Sequence, residues 1–279
     1  MTVTRQKNKI DVSIVIVSHK NASVLKLCLD ALEKNIGREI KGEIIVVDSE
    51  TQEEVRDLVL EDYPKVRFIP FFRNVGFARA LNKGIKSARG EMILALNPDI
   101  VVKRRAVEIM HRYMKKHAEA GIAGPMLLNF NGSYQASCFR FYTPATVIYR
   151  RTFLGESVGK KALKSFVISP KGEKPQRIKG WLMGSALMLR ADNLAKVGLM
   201  DERYFMYFED VDWCRRFFEA GYKIVYVPQA KMFHYHSKMS ASKSIFSLFF
   251  NKMTFVHLLS GLKYFIKFKG WKIKEKNGA

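Results

Sequence analysis

Apolar and polar positions change period several times along the first hundred residues, and the changes mark out alternating strands and helices. Val12 to Val17 is an unbroken, mostly β-branched run of strand length. From Ser23 to Asn35, apolar Val24, Leu25, Leu27, Leu29 and Leu32 fall at helical spacing, and Gly37 follows as a stop signal. A strand over Glu43 to Val47, a helix over Gln52 to Glu61, a strand over Val66 to Ile69, a helix over Gly76 to Ala88 and a strand over Met92 to Leu96 continue the series. Such βαβαβαβ order predicts an α/β fold with parallel strands, right-handed crossovers and a ligand crevice at the strands' carboxyl ends. After His111 the pattern loosens into short strands and loops, and Lys160 to Lys179, dense in Gly, Pro and Lys, reads as a loop. A strand over Trp181 to Leu189, a helix starting near Glu209 and a strand over Lys223 to Val227, closed by Pro228, complete the predicted core.

Carboxylates stand at the ends of these elements. Asp48 ends the second strand, where it can accept from a nucleotide's base or ribose or serve as a helix-capping turn acid. Asn97-Pro98-Asp99 ends the fourth strand; proline stops the pairing, so Asn97 and Asp99 project into a loop, either as a simple turn or as oxygen ligands for a hard cation. The third acidic group is Glu209-Asp210-Val211-Asp212. In the first turn of a helix the exposed amides and the macrodipole favour an ionised Asp210, which suits a general base and equally an ordinary helix start. Asp212 is in position to pair with Arg215 or Arg216.

Composition narrows the classes. No G-x-G-x-x-G follows the first strand and no P-loop lysine motif occurs, which removes dinucleotide and P-loop readings. Cys28, Cys138 and Cys214 form neither a disulfide framework nor a zinc spacing, and the polar N-terminus lacks a signal-peptide core, so a reducing cytoplasm is expected. The net charge is +22, of which Arg140 to Lys179 and Lys238 to Lys276 supply +8 each. With the excess confined to two segments beside an acidic cleft, and no nucleic-acid-binding signature, the partner is expected to be anionic lipid or a lipid diphosphate rather than nucleic acid. From Ser244 to Phe268 the chain is rich in Phe, Leu and Ile, with Lys252, Ser260, Lys263 and Lys267 near helical spacing. That pattern predicts a basic amphipathic helix lying on a membrane surface, with a core-packing or oligomer-forming C-terminal helix as the alternative.

Taken in order, Val12 to Ser18, Val47-Asp48-Ser49, Asn74-Val75-Gly76-Phe77-Ala78-Arg79-Ala80-Leu81-Asn82, Asn97-Pro98-Asp99, Gly184-Ser185-Ala186 and Glu209 to Asp212 resemble the inverting family 2 glycosyltransferases of the GT-A fold, most closely the rhamnosyltransferase-like branch. The resemblance covers roughly residues 11 to 240. It implies a central, mostly parallel sheet flanked by helices, a donor half over about 11–100, an acceptor half over about 101–240, and the basic helical tail over 241–279. It implies that Ser18, Asp48, Gly76, Asn82 and Asn97 meet the donor nucleotide, and that Asp99 binds a divalent cation, Mg2+ or Mn2+, with His234 as a further ligand and His236 its competitor. Asp210 matches the catalytic base; Gly184, Ser185, Glu209, Asp212 and Arg216 fall to the substrate, with Trp181 either stacking on a sugar or packing in the core. Two positions depart from the family pattern: Asn97 replaces the first Asp of the DxD motif, a form common in this branch, and His19 stands where Tyr or Asn is frequent. The implied activity moves a sugar, L-rhamnose from dTDP-L-rhamnose, onto a hydroxyl of a polyprenyl-diphosphate-linked glycan at the inner face of the cell membrane. Transfer from a UDP-hexose and a non-catalytic membrane scaffold are the alternatives.

Overall fold

The computed structural model describes residues 10–37, 39–151, 153–235 and 252–273. Strands β1 (Val12–Ser18), β2 (Gly42–Asp48), β3 (Arg67–Pro70) and β4 (Met92–Leu96) pair in parallel in the spatial order β3-β2-β1-β4. Helices α1 (Ala22–Asn35), α2 (Glu53–Asp57, extended by a π-turn over Leu58–Asp62) and α3 (Phe77–Ser87) make the crossovers. The strands read as continuous apolar runs because both faces are buried: Val15 and Val17 pack into one core, Ile14 and Ile16 into the other.

Beyond β4 the sheet turns mixed. β5 (Ile100–Val102), helix α4 (Ala106–Lys116), β6 (Ala120–Leu128), β7 (Tyr134–Gln135) and β8 (Cys138–Phe139) lead to helices α5 (Pro144–Arg151) and α6 (Lys160–Phe166). Short strands β9 (Val167–Ile168), β10 (Gln176–Arg177) and β11 (Trp181–Leu182) precede β12 (Ala186–Arg190), helix α7 (Asn193–Val197), helix α8 (Glu209–Glu219), β13 (Lys223–His234) and helix α9 (Lys252–Lys267). β12 runs antiparallel between β4 and β6, and β13 joins β6 in parallel.

Three expectations change here. The stretch expected to be a loop over Lys160 to Lys179 begins with α6, whose Phe166 stacks into an aromatic cluster with Phe139 and Tyr142. The single strand over Trp181 to Leu189 is two: β11 pairs with β8 in a separate three-stranded sheet, β12 with the main one, and Met183 to Ser185 bridge them. Pro228 does not end its strand; a register shift between Val227 and Lys231 absorbs it, and β13 continues to His234.

The largest change concerns the C-terminal segment. Helix α9 is part of the domain, with Tyr264 fully buried and Ser260 and His257 nearly so. Its polar stripe faces inward: Ser260 Oγ donates to the Met206 carbonyl (2.9 Å), Lys263 Nζ to the Arg203 carbonyl (2.8 Å), and Lys267 Nζ pairs with Asp201 (2.7 Å) and Asp212 (2.5 Å). Arg215, buried on α8, donates to Tyr264 Oη and to the Gly270 and Lys272 carbonyls. His236 lies outside the described residues. Among the described residues no helix is long and apolar enough to cross a membrane.

Candidate active site

The parallel register sets Ser18 opposite Asp48, and Ile16 opposite Leu96, so the tips of β1, β2 and β4 end side by side. Antiparallel β12 begins against the same tip: the Asn97 amide donates to the Ser185 carbonyl (2.9 Å). One residue earlier, the Gly184 amide donates to Asp210 Oδ2 at 2.9 Å. Two hydrogen bonds thus stitch the fourth strand's tip to the start of α8, joining acidic groups more than a hundred residues apart in the chain. Asp99 and Asp210 line one cavity of about 380 Å³, with Asn97, Trp181, Gly184, Ser185, Glu209 and His234. A second cavity of about 370 Å³ shares Asn97 and Asp99 and extends to Ser18, His19, Ser49 and Gly76.

Orphaned polar atoms mark this place. Buried polar groups normally find hydrogen-bond partners, yet Ser18 Oγ, Asn97 Oδ1, Asp99 Oδ1, Ser185 Oγ and Glu209 Oε2, all on residues that border the two cavities, have none aligned with them. Their concentration at the strand tips and the start of α8 is what a polar ligand would satisfy. Among the described residues no group of three or more His, Cys, Asp or Glu stands ready to enclose a cation. Asp99 and His234 nonetheless suit one: His234 Nε2 lies 3.4 Å from Asp99 Oδ2, while Nδ1 meets Gln135 Oε1 at 2.7 Å, which fixes the ring's orientation. Asn97 Oδ1, buried without an aligned partner, would add a neutral oxygen to such a site.

Burial sets the protonation chemistry. Glu209 and Asp210 are both pushed above the ordinary carboxylate range, mainly by desolvation, and Glu209 further because the Asp210 charge opposes its own. Asp210 is held lower by the Gly184 and Val211 amides and by the positive charge of Arg150. A carboxyl whose folded pKa exceeds its unfolded value makes the native state bind more protons in that window, so its contribution to stability falls as pH rises through it. Glu209→Gln should remove that slope: melting scans from about pH 4 to about pH 8 should show the variant gaining stability over the parent toward the alkaline end. A variant that instead loses stability evenly at every pH would show that Glu209 has a partner in the folded chain.

Four sequence expectations, those for Asp48, Asn82, Asp212 and Arg216, need revision, while Gly76 and Trp181 stand at cavity walls. Asp48 sits at its strand tip but is fully buried and borders neither cavity; desolvation raises its pKa. Gly76 is required by backbone geometry, with φ at +80° and an added Cβ only 2.6 Å from the Phe205 carbonyl oxygen. Asn82 borders neither of these two cavities: its side chain clamps both polar groups of the Met200 backbone and Glu202. Asp212, with no exposed surface, is held by Arg216 (2.6 Å), Lys267 and Tyr204 Oη (3.2 Å). Arg216 also donates to the Val197 and Leu199 carbonyls, so both are structural rather than substrate-facing. Trp181 packs in the core, stacked on Phe139 at 4.7 Å with its indole N–H donated to the Arg140 carbonyl, and also borders the cavity.

Sequence reasoning missed Tyr142, Tyr207, Phe208 and His257 on the cavity wall. The aromatic and basic stretch after Phe139 signalled the first and its neighbour Arg150; nothing local signalled His257, which arrives on α9. The family model for glycosyl transferase family 2 matches residues 13–159, more than half of the chain. This chain belongs to glycosyl transferase family 2. Similar proteins of the family include an N-acetylglucosaminyl-diphospho-decaprenol L-rhamnosyltransferase of Mycobacterium tuberculosis, 28% identical over 69% of this chain and 66% of the relative. The dTDP-rhamnosyl transferase RfbF of Shigella flexneri is 27% identical over 68% of this chain and 59% of the relative. Against both, the chain spans less than two thirds of the relative's length. The rhamnosyltransferase WbbL of Escherichia coli is 25% identical over 91% of this chain and 92% of its own length. Among solved structures, GalNAc-T7 with UDP, GalNAc and Mn2+ has a TM-score of 0.66 at 16% identity, covering 93% of this chain and 48% of that one. The mannosyltransferase PcManGT of Pyrobaculum calidifontis, in complex with GDP-Man and Mn2+, has a TM-score of 0.54 at 17% identity over 83% of this chain and 59% of that one. The chain is thus a rhamnosyltransferase-like member of the family on a GT-A fold.

Proposed function

We propose that this protein transfers a sugar, L-rhamnose from dTDP-L-rhamnose, onto a hydroxyl of a lipid-linked cell-surface glycan precursor, inverting the anomeric carbon, and that it works at the inner face of the cell membrane. The observation that carries the reading is the single cavity bordered at once by Asp99 and Asp210. The rhamnosyl relatives support the donor, and the lipid diphosphate named in one of them supports the acceptor class.

Ser18, His19, Ser49 and Asn97 receive the nucleotide diphosphate in the adjoining cavity. Asp99 and His234 are the residues that would hold a divalent cation, whose chemistry is to neutralise charge developing on the departing diphosphate. Asp210 takes the proton of the acceptor hydroxyl while that oxygen attacks the anomeric carbon; the bond from sugar to phosphate breaks in the same displacement, so configuration inverts. Tyr142, Trp181 and Phe208 give the acceptor sugar an aromatic wall, and Arg150, its guanidinium against the Phe139, Tyr142 and Phe166 rings, supplies positive charge beside it.

A panel of nucleotide sugars, scanned for thermal stabilisation with and without Mn2+, tests the donor. A ligand at 100 times its dissociation constant adds about 2.7 kcal/mol, and dTDP-L-rhamnose with Mn2+ should give the largest shift. Asp99→Asn should abolish the part of that shift that depends on Mn2+ and leave the unliganded melting temperature close to the parent's. Equal stabilisation in chelator and in Mn2+ would remove the cation from this reading; a larger shift with a UDP-hexose would replace the donor.

A further inference from the structure

Helix α9 turns its polar side inward and leaves its apolar side uncovered. Phe255, Leu258, Leu259, Leu262 and Ile266 recur at three- and four-residue spacing on one stripe and are 65, 37, 39, 56 and 68% exposed. Trp271, just past the helix end, is 52% exposed. An apolar ridge of this kind on an otherwise packed domain marks a partner surface. Several features on the same segment identify the partner.

Between Lys252 and Ile273 there are five lysines and no Asp or Glu. Lys269 and Lys272, just past the helix end, are exposed, so the charge that this segment itself places beside the ridge is cationic. Anionic headgroups above acyl chains complement both parts, and a half-exposed Trp at the margin suits the headgroup layer. At 16 residues α9 is about 24 Å long, too short to cross a hydrocarbon layer of about 30 Å. A helix lying in the membrane plane is the arrangement that buries the ridge. We propose that the Phe255–Ile266 face of α9 is the surface on which this protein docks to an anionic bilayer.

The opposite side of the same helix supplies His257 to the wall of the cavity that holds Asp210. Docking on the outer face therefore sets that cavity roughly one helix diameter, about 10 Å, from the membrane, where the sugar of a lipid-linked acceptor would stand. The purpose of the surface rests on the acceptor reading given above; the evidence for it does not.

The test uses the full chain, vesicle flotation and two acceptors, one short and water-soluble, one long-chain and carried in the vesicle. The parent should float with phosphatidylcholine–phosphatidylglycerol vesicles and much less with phosphatidylcholine alone. Phe255→Ser, Leu262→Ser and Ile266→Ser together should weaken flotation by about tenfold or more and lower transfer to the vesicle-borne acceptor, while transfer to the soluble acceptor stays unchanged. Because all three side chains are exposed, the melting temperature should hold. Lys269→Gln with Lys272→Gln should reduce the preference for anionic vesicles by roughly tenfold. Flotation of the triple variant equal to the parent's would overturn the proposal. So would a parent that does not float but dimerises, with the triple variant monomeric, since a second copy would then cover the ridge. Flotation that depends on the ridge, with no transfer to either acceptor, would retain this surface and discard the proposed activity instead.

Discussion

Asp210→Asn should lower turnover by about 10²–10⁴-fold, the usual worth of a positioned general base, with donor-induced thermal stabilisation retained. The amide can still accept the Gly184 N–H through its oxygen but cannot take a proton from an attacking hydroxyl. Asp210 rather than Glu209 is assigned the role because two backbone amides and Arg150 keep it the more acidic of the pair, while Glu209, raised further, stays protonated to higher pH. Since desolvation lifts Asp210 above the ordinary aspartate range, the turnover-versus-pH profile should gain its acid limb nearer neutrality than an exposed aspartate would give, activity rising as the carboxyl ionises. Because Glu209 is still protonated while Asp210 ionises, Glu209→Gln should leave that limb nearly in place, with far less loss of rate than Asp210→Asn. Near-parental turnover in Asp210→Asn would take the base away from this residue.

Asp212→Ala should destabilise the domain by about 3–5 kcal/mol, the scale for breaking a buried ion pair from one side. The substitution leaves Arg216 and Lys267 without their shared anion, in a place where Asp212 has no exposed surface. Lys267→Met should cost less, because Arg216 still neutralises Asp212, and the two substitutions should be non-additive in a double-mutant cycle. Lys267 also supports Asp201, whose carboxyl lies well below its usual range through its bonds to Arg203 and then Lys267. A depressed carboxyl contributes stability above its unfolded pKa and loses it as pH falls through the folded value. The parent should therefore destabilise in strong acid, and Lys267→Met should show a shallower acid slope. Urea midpoints across pH measure both effects; an Asp212→Ala protein as stable as the parent would mean that α9 is not locked to α8.

How much of this was legible in the sequence depended on the range of the interactions. The four parallel strands were readable because each is buried on both faces, which forces a nearly unbroken apolar run whatever its neighbours are. Asp99 and Asp210 were readable as candidates because strand tips and helix starts are the places where a short carboxylate stays exposed to a ligand. Asn82, Asp212 and Arg216 sit in equally polar surroundings and looked equally available; the Asp212–Arg216 pair was legible at its four-residue spacing, but the other partners that occupy these side chains lie 8 to 120 residues away. Pairings of that span leave no trace in local periodicity.

The C-terminal helix shows the division most clearly. Periodicity determined that lysines and serine share one side of α9 and large apolar groups the other, since that follows from 3.6 residues per turn alone. Which side faces the protein was decided by Asp212, which the folded domain buries and must pair, together with Asp201 and the carbonyls of Arg203 and Met206 beside it. The sequence by itself determined the elements, their amphipathic faces and the residues able to do the chemistry. Only the tertiary structure decided which carboxylates are kept open and which are neutralised, because that choice turns on contacts between residues distant in the chain.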